Sequence, residues 1–351
     1  MKKFISALLV IGFMFAIILP CFAVGDIVAD DTVEFITSYQ YPITVESAEW
    51  NKYSVSEKVE MLKISDDKLA EMTDEQLIQA IADYPYLVDI YAYGDSVEDG
   101  IAVARKYFSA LDELLSRDTG VDSLATYGVQ LANSKYKAYQ VSSTENADVD
   151  LFTSKALMNI LKATDVSIVS ENSSIVFATT NHESKYIYTV DGNPVLVYLL
   201  EEGHTEEQHS EADDRMEEVY GVTLISPGSC LYNCHSYAWY APSTSNHYWI
   251  DDPTPYMEGE TYVRKYLGGM GTPANTTSVG YLDIIFYGDY EDPETMGTWH
   301  SAIYHSFSTS GEPLAMQLCR SKWGQLGVFE HRMCDVPAGY DIYNITAWRI
   351  E

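Results

Sequence analysis

The chain has 351 residues, 46% of them hydrophobic and 13% aromatic, which supplies enough apolar side chain for two packed cores and excludes a disordered chain. Its formal net charge of -31 excludes the basic surfaces on which nucleic-acid and anionic-lipid binding depend, because both need Lys and Arg to neutralise phosphates. Five cysteines are too few for a chain of this length to depend on disulfides.

Met1-Lys2-Lys3 followed by the uncharged apolar run from Phe4 to Leu19 has the layout of a secretory signal, and the run is short for a membrane span. Cleavage after Ala23 would start the mature chain at Val24, outside the cytoplasm, and take the net charge from -31 to -33 through loss of Lys2 and Lys3. A lipoprotein reading would acylate Cys21, but Pro20 stands where a small residue is needed. No later segment is apolar enough to cross a bilayer, so no transmembrane span is expected in the mature chain. Cys230, Cys234, Cys319 and Cys334 remain after the cut, and the spacing of the last two neither requires nor forbids a disulfide.

From Val24 to residue 219 the composition is acidic and mixed in structure. Thr32 to Thr37 partly alternates as a strand. Asp66 and Thr73 open capped helices, with Leu77, Ile78, Ile81 and Ala82 at helical spacing and Pro85 closing the second. The recurrence of Ile101, Ala104, Phe108, Leu111 and Leu115 predicts one helix from Val97 to Arg117, and another follows from Leu151 to Ala163. Strands are expected at Ile175 to Ala178, Tyr186 to Val190 and Val195 to Leu200, the last two joined by an Asp191-Gly192 hairpin turn. His204 to Glu218 reads as a polar surface helix at the boundary between regions 24–219 and 220–351. Residues 24 to 220 carry a net charge of -25 and residues 221 to 351 one of -8.

Chemistry concentrates after that boundary. Asn233 is a favoured helix N-cap, which makes Cys234 the first residue of a short helix ending before Pro242. Free backbone N–H groups there can stabilise a thiolate or an oxyanion. Asp283 to Tyr287 and His300 to Tyr304 read as strands, and a Cys on a helix start followed in sequence by a His on a sheet is the Cys-then-His order of papain-like enzymes.

Asn233-Cys234-His235-Ser236-Tyr237 resembles the Asp-Cys-Ser-Gly-Phe motif of NlpC-type cell-wall cysteine peptidases and the Cys-centred motif of CHAP amidases. The run from Asp283 into the strand opening at His300 is similar to the same families, and the resemblance covers roughly Gly228 to Gly324. It implies an α+β fold in which a helix carrying Cys234 packs on an antiparallel sheet carrying His300. It also implies cleavage of amide bonds in cell-wall peptide, with Cys234 as nucleophile and His300 as base. By the family pattern a third polar residue lies between Ala315 and Gly324, where Gln317 and Ser321 are chemically able and Ser321 is preferred. Asn233, His235, Tyr237, Trp239 and His331 would then contact substrate, with His331 alternatively orienting the site. The chain departs from the pattern at Asn233, His235 and Ser236, at Leu282 where a Gly normally precedes Asp283, and in the insertion from Gly288 to Trp299.

The rival reading is a non-catalytic extracellular binding or interaction protein on the same scaffold, motivated by that insertion and by His235. Metal binding is a further alternative. On one helix, His204 and His209, five apart, would not share a face; Cys230 and Cys234 lack a second pair, and no His-Glu-x-x-His motif occurs. Neither metal nor cofactor is therefore expected.

Overall fold

The structure, a computed structural model, describes residues 39–94, 96–128, 151–164, 183–268, 279–306 and 314–351. The signal segment and the strands expected at 32–37 and 175–178 lie outside these residues.

Local capping starts the helical layer. The helices α1 (Val55–Leu62) and α3 (Asp74–Ala82) each begin in a capping box, Ser54 with Glu57 and Thr73 with Gln76, while α2 (Asp66–Glu71) follows Ser65 without a side-chain cap. Leu77, Ile78 and Ile81 are buried, and α3 ends before Pro85. The single helix expected from Val97 to Arg117 is two, α4 (Val97–Ala104) and α5 (Ser109–Ser116). Tertiary contacts override the spacing at the break: the Phe108 ring stacks on Tyr84 at 3.7 Å, and the Tyr107 hydroxyl donates to Asp89 at 2.7 Å. Helix α6 (Leu151–Ala163) spans the expected residues. Helix α7 (Glu206–Tyr220) starts in a Thr205–Gln208 capping box and ends at Gly221, whose φ of 66° is the left-handed conformation that terminates helices. It is only partly a surface helix, since Ala212, Asp213, Met216, Val219 and Tyr220 are buried.

The hairpin forms around the expected turn, with β1 (Glu183–Tyr188) starting and ending earlier than the expected Tyr186–Val190, antiparallel to β2 (Pro194–Leu199), and Gly192 at a φ of 85° in the turn. A second, seven-stranded sheet contains β3 (Thr223–Ser226), β4 (Tyr262–Gly268), β5 (Ile284–Tyr287), β6 (His300–Tyr304), β7 (Leu318–Lys322), β8 (Val328–Arg332) and β9 (Ile345–Ile350). Its order is β3-β8-β7-β6-β5-β9-β4 and every neighbouring pair is antiparallel. The fold is therefore mixed helix and antiparallel sheet, as the α+β expectation required.

Both faces of the large sheet are covered, which is why every residue of β5 and β6 is buried. Period-two alternation sends Ile285, Tyr287, Ala302 and Tyr304 into a core shared with the helices. Ile284, Phe286 and Ile303 enter a second core with Tyr237, Ala238 and Trp239 and with Val195 and Val197 of the hairpin. Residues Thr37–Glu351 form one compact unit, so segments on both sides of residue 220 share the first of these cores. No helix among the described residues is long and apolar enough to cross a membrane.

A fully buried carboxylate joins the helices to the sheet's last connection. Asp89 accepts from the hydroxyls of Tyr107 and Tyr220 at 2.7 and 2.8 Å, and the nearby Tyr93 hydroxyl and Ala338 backbone N–H also favour its charged form. Burial outweighs these donors and pushes its pKa up to about 7. A carboxyl whose folded pKa is raised contributes most below its unfolded pKa and loses that contribution as pH rises through about 7. The stability of the wild-type chain is thus expected to fall relative to Asp89→Asn between pH 4.5 and 8 by a few kcal/mol, at about 1.4 kcal/mol per tenfold change in proton affinity, measured as the difference in urea unfolding. A pH-independent difference would refute the assignment.

Backbone strain sits at Leu282, the residue before Asp283, with a φ of 70°. The position has the conformation that a glycine would adopt freely, and the Leu282 side chain is exposed. Leu282→Gly should raise stability by about 0.5–1 kcal/mol, because release of roughly 1–2 kcal/mol of left-handed strain exceeds glycine's entropic cost. A lower urea midpoint in the variant would show that the leucine side chain contributes more than its strain costs.

Candidate active site

Asn233 caps the helix that carries Cys234. Its Oδ1 accepts from Ser236 N–H at 3.0 Å, three residues on, while its amide donates to Ile250 O at 2.7 Å, so a long-range contact holds the cap in place. Cys234 and His235 begin the helix, and Ser236–Tyr240 continue it as one π turn closed by Ala241 N–H on Ser236 O. Such turns are frequent at functional sites. The Cys234 sulfur faces the backbone N–H groups of Ser301 and His235, which favour the thiolate, yet burial dominates and pushes the thiol up to about 12.

His300 opens β6 opposite Tyr287. Alternation turns its ring toward the helical layer, where it stacks on Tyr340 at 4.1 Å and lies 5.3 Å from Tyr287. The next residue, Ser301, faces the other way and takes hydrogen bonds from Trp239 Nε1 at 2.9 Å and shares one with His235 Nδ1 at 2.8 Å. Cys234 therefore lies against Ser301, the residue after His300, and no hydrogen bond joins the thiol to the imidazole. Both ring nitrogens of His300 are buried without a partner, the only side-chain nitrogens so placed among the described residues. Burial holds the imidazole well below its ordinary pKa and keeps it neutral.

A cavity of about 370 Å³ lies at this end of the sheet, with Cys234, His235, Asn233, Trp299 and Tyr340 in its wall. Tyr340 is the common neighbour of the two candidate groups, lining the cavity beside Cys234 and covering the His300 ring. The opposite wall comes from the helical region through Gly94, Asp99, Val103 and Lys106. Close approach of the two regions depends on Gly324, at a φ of 50°, where a Cβ would lie 2.5 Å from the Ala92 carbonyl carbon.

The remaining expected site residues divide. Asn233 and His235 line the cavity, and burial lowers the His235 pKa to about 3, so its ring is a neutral wall. Tyr237 and Trp239 are core residues outside the cavity wall, with Trp239 held by Ser301. Ser321, expected as the third catalytic residue, does not orient His300: its Oγ accepts from Trp323 Nε1 at 2.9 Å and bonds His331 Nε2 at 2.7 Å. Gln317 is engaged with the Tyr304 hydroxyl at 3.1 Å. His331, expected to contact substrate, is 2% exposed and bonded to Ser321 and to Arg332 O, which leaves it inside the sheet's helical face. The sequence offered no local signal for Tyr340, which reaches the cavity from the connection before β9, and Trp299 was read only as the end of the insertion before His300. Donors able to hold a metal converge away from the cavity, at Glu202, His209 and Cys230. All four described cysteines are free thiols.

Comparison with known proteins returns no matching family model, no similar characterised protein and no similar solved structure.

The thiol's raised pKa has a direct readout. A shift from 9.0 to about 12 leaves roughly 10³-fold less thiolate at pH 8, so iodoacetamide should alkylate Cys234 at least about 10³-fold more slowly than free cysteine, with the rate climbing as pH rises. Mass spectrometry of the modified peptide checks this, and a plateau below pH 9 would mean that the N–H groups win over burial.

Proposed function

We propose that this protein is a secreted cysteine hydrolase of papain-like architecture that cleaves amide bonds, in cell-wall peptide, with Cys234 as nucleophile and His300 as proton acceptor. One observation carries the reading: a thiol at the first residue of a capped helix opens on a cavity and rests on the Ser301 N–H, next to the residue whose imidazole has two buried, unpartnered nitrogens. Leaving such groups unpaired costs about 1–3 kcal/mol each, a cost tolerated where the group has a task other than stability.

The pKa directions specify the form of the chemistry. With the thiol raised to about 12 and the imidazole lowered, the resting pair is neutral. The thiol proton passes to His300 as the sulfur–carbon bond forms, then to the leaving amine, and water resolves the thioester by the reverse path. The N–H groups around the sulfur and at the helix start are suited to the developing oxyanion. The proton transfer requires the His300 ring to leave its stack on Tyr340 and swing to the thiol when substrate enters, because no hydrogen bond joins the two in the free protein.

The absence of any polar group orienting His300, together with its cover by Tyr340, favours a second reading, a binding protein that uses the cavity without chemistry. An electrophilic peptide-amide mimic separates the two. The hydrolase predicts stoichiometric labelling of Cys234 alone, abolished in His300→Gln with the far-UV circular dichroism unchanged. Equal, slow labelling of Cys230, Cys234, Cys319 and Cys334, or labelling of Cys234 indifferent to His300→Gln, would leave only the binder.

A further inference from the structure

Glu202, His209 and Cys230 come from three stretches of chain: the segment before α7, the first turn of α7 and the loop after β3. One donor atom from each lies within 4.8 Å of the other two, the one place among the described residues where three such donors converge. The arrangement is built rather than incidental. Glu202 accepts from Cys230 N–H at 3.0 Å and from Ser229 Oγ at 2.9 Å, and its Oε1 is 2.8 Å from His209 Nε2. The other edge of the imidazole rests on Gly228, where a Cβ would lie 2.4 Å from Nδ1, so the ring's direction is set by packing. His209 and Cys230 are buried, and Glu202 opens the group to solvent.

We propose that Glu202, His209 and Cys230 bind a divalent cation of the zinc type. A mixed sulfur, nitrogen and oxygen donor set suits a borderline-soft, tetrahedral ion better than Mg²⁺ or Ca²⁺, which take oxygen ligands. Bonds of about 2.0 Å to nitrogen and oxygen place those two atoms about 3.3 Å apart, so the pair now at 2.8 Å separates by roughly half an ångström. The fourth position falls to water or His204. The His204 and His209 rings lie 5.4 Å apart, and a cavity of about 30 Å³, the size of a single water, adjoins both along with Gln325. Charge also balances: a Cys230 thiolate and the Glu202 carboxylate neutralise the ion, while the nearby buried Lys322, bonded to Ser229 O and Gly324 O, is offset by buried Asp213. Helical spacing argued against a His204–His209 pair, but α7 begins at Glu206, so His204 lies outside the helix and that geometry does not apply. The site shares no ligand with the Cys234 cavity and stands whether or not the protein is a hydrolase.

Titration of the full protein with Co²⁺ tests the assignment. The expected result is saturable stoichiometric binding with thiolate-to-metal charge-transfer absorption and the visible bands of four-coordinate Co²⁺, displaced by Zn²⁺. The signal should be lost in Cys230→Ser and His209→Ala and retained in Cys234→Ser. No saturable binding, or a charge-transfer band that survives Cys230→Ser, overturns the proposal. Because substitutions in a buried cluster can unfold the chain, Zn²⁺ X-ray absorption on the unaltered protein gives a second reading. One sulfur at about 2.3 Å beside nitrogen or oxygen at about 2.0 Å supports the site, and a shell of oxygen and nitrogen alone overturns it.

Discussion

A single buried carboxylate decides how the two halves of this protein meet. An isolated aspartate in a hydrocarbon core is prohibitively costly, so Asp89 imposes a demand for donors on everything packed around it. The Tyr107 and Tyr220 hydroxyls answer it, drawn from between α4 and α5 and from the end of α7, helped by Tyr93 before α4 and by the Ala338 N–H of the connection that precedes β9. Tyr93 extends the network by accepting from Gly339 N–H at 2.7 Å, and the Tyr340 hydroxyl donates to Ala92 O. The same connection delivers Tyr340 onto the His300 ring. The placement of the candidate base thus depends on a connection that the buried Asp89 network helps to hold.

The helical region consequently belongs to the candidate site. It covers one face of the sheet, closes the cavity opposite Cys234, and shares with the sheet the core in which His300 is embedded. Its acidity serves the exterior, while its interior face is aromatic: Trp50 donates to Val219 O at 2.9 Å, and Tyr86, Tyr220 and Trp323 follow in tilted and edge contacts toward the sheet. Removing that region would expose an apolar sheet face, so its contribution to the cavity and to the core are one property.

Residues whose roles depend on near neighbours were legible. The Asn233 cap, the helix start at Thr73, the Asp191-Gly192 turn and the bounds of β6 all rest on interactions within a few positions or across one hairpin. Residues whose roles depend on which face meets which partner were not. Phe108 kept helical spacing with its neighbours yet stands outside both helices as the N-cap of α5, because a stacking partner at Tyr84 and the Asp89 network compete for that turn. Ser321 had suitable chemistry for orienting an imidazole, and an imidazole did come within reach, but it was His331 rather than His300.

From the amino acids alone came the capped helices, the hairpin, the mixed class of the fold and the thiol at a helix start, because each is set by short-range sterics and hydrogen bonding that a few consecutive residues contain. Tertiary structure alone decided that His300 and Ser301 face opposite layers, that Tyr340 covers the imidazole, and that Glu202, His209 and Cys230 converge. The reason is strand register: a one-residue shift in pairing reverses the face of every side chain, and register is chosen by the burial of the whole sheet between two cores rather than by any local run of sequence.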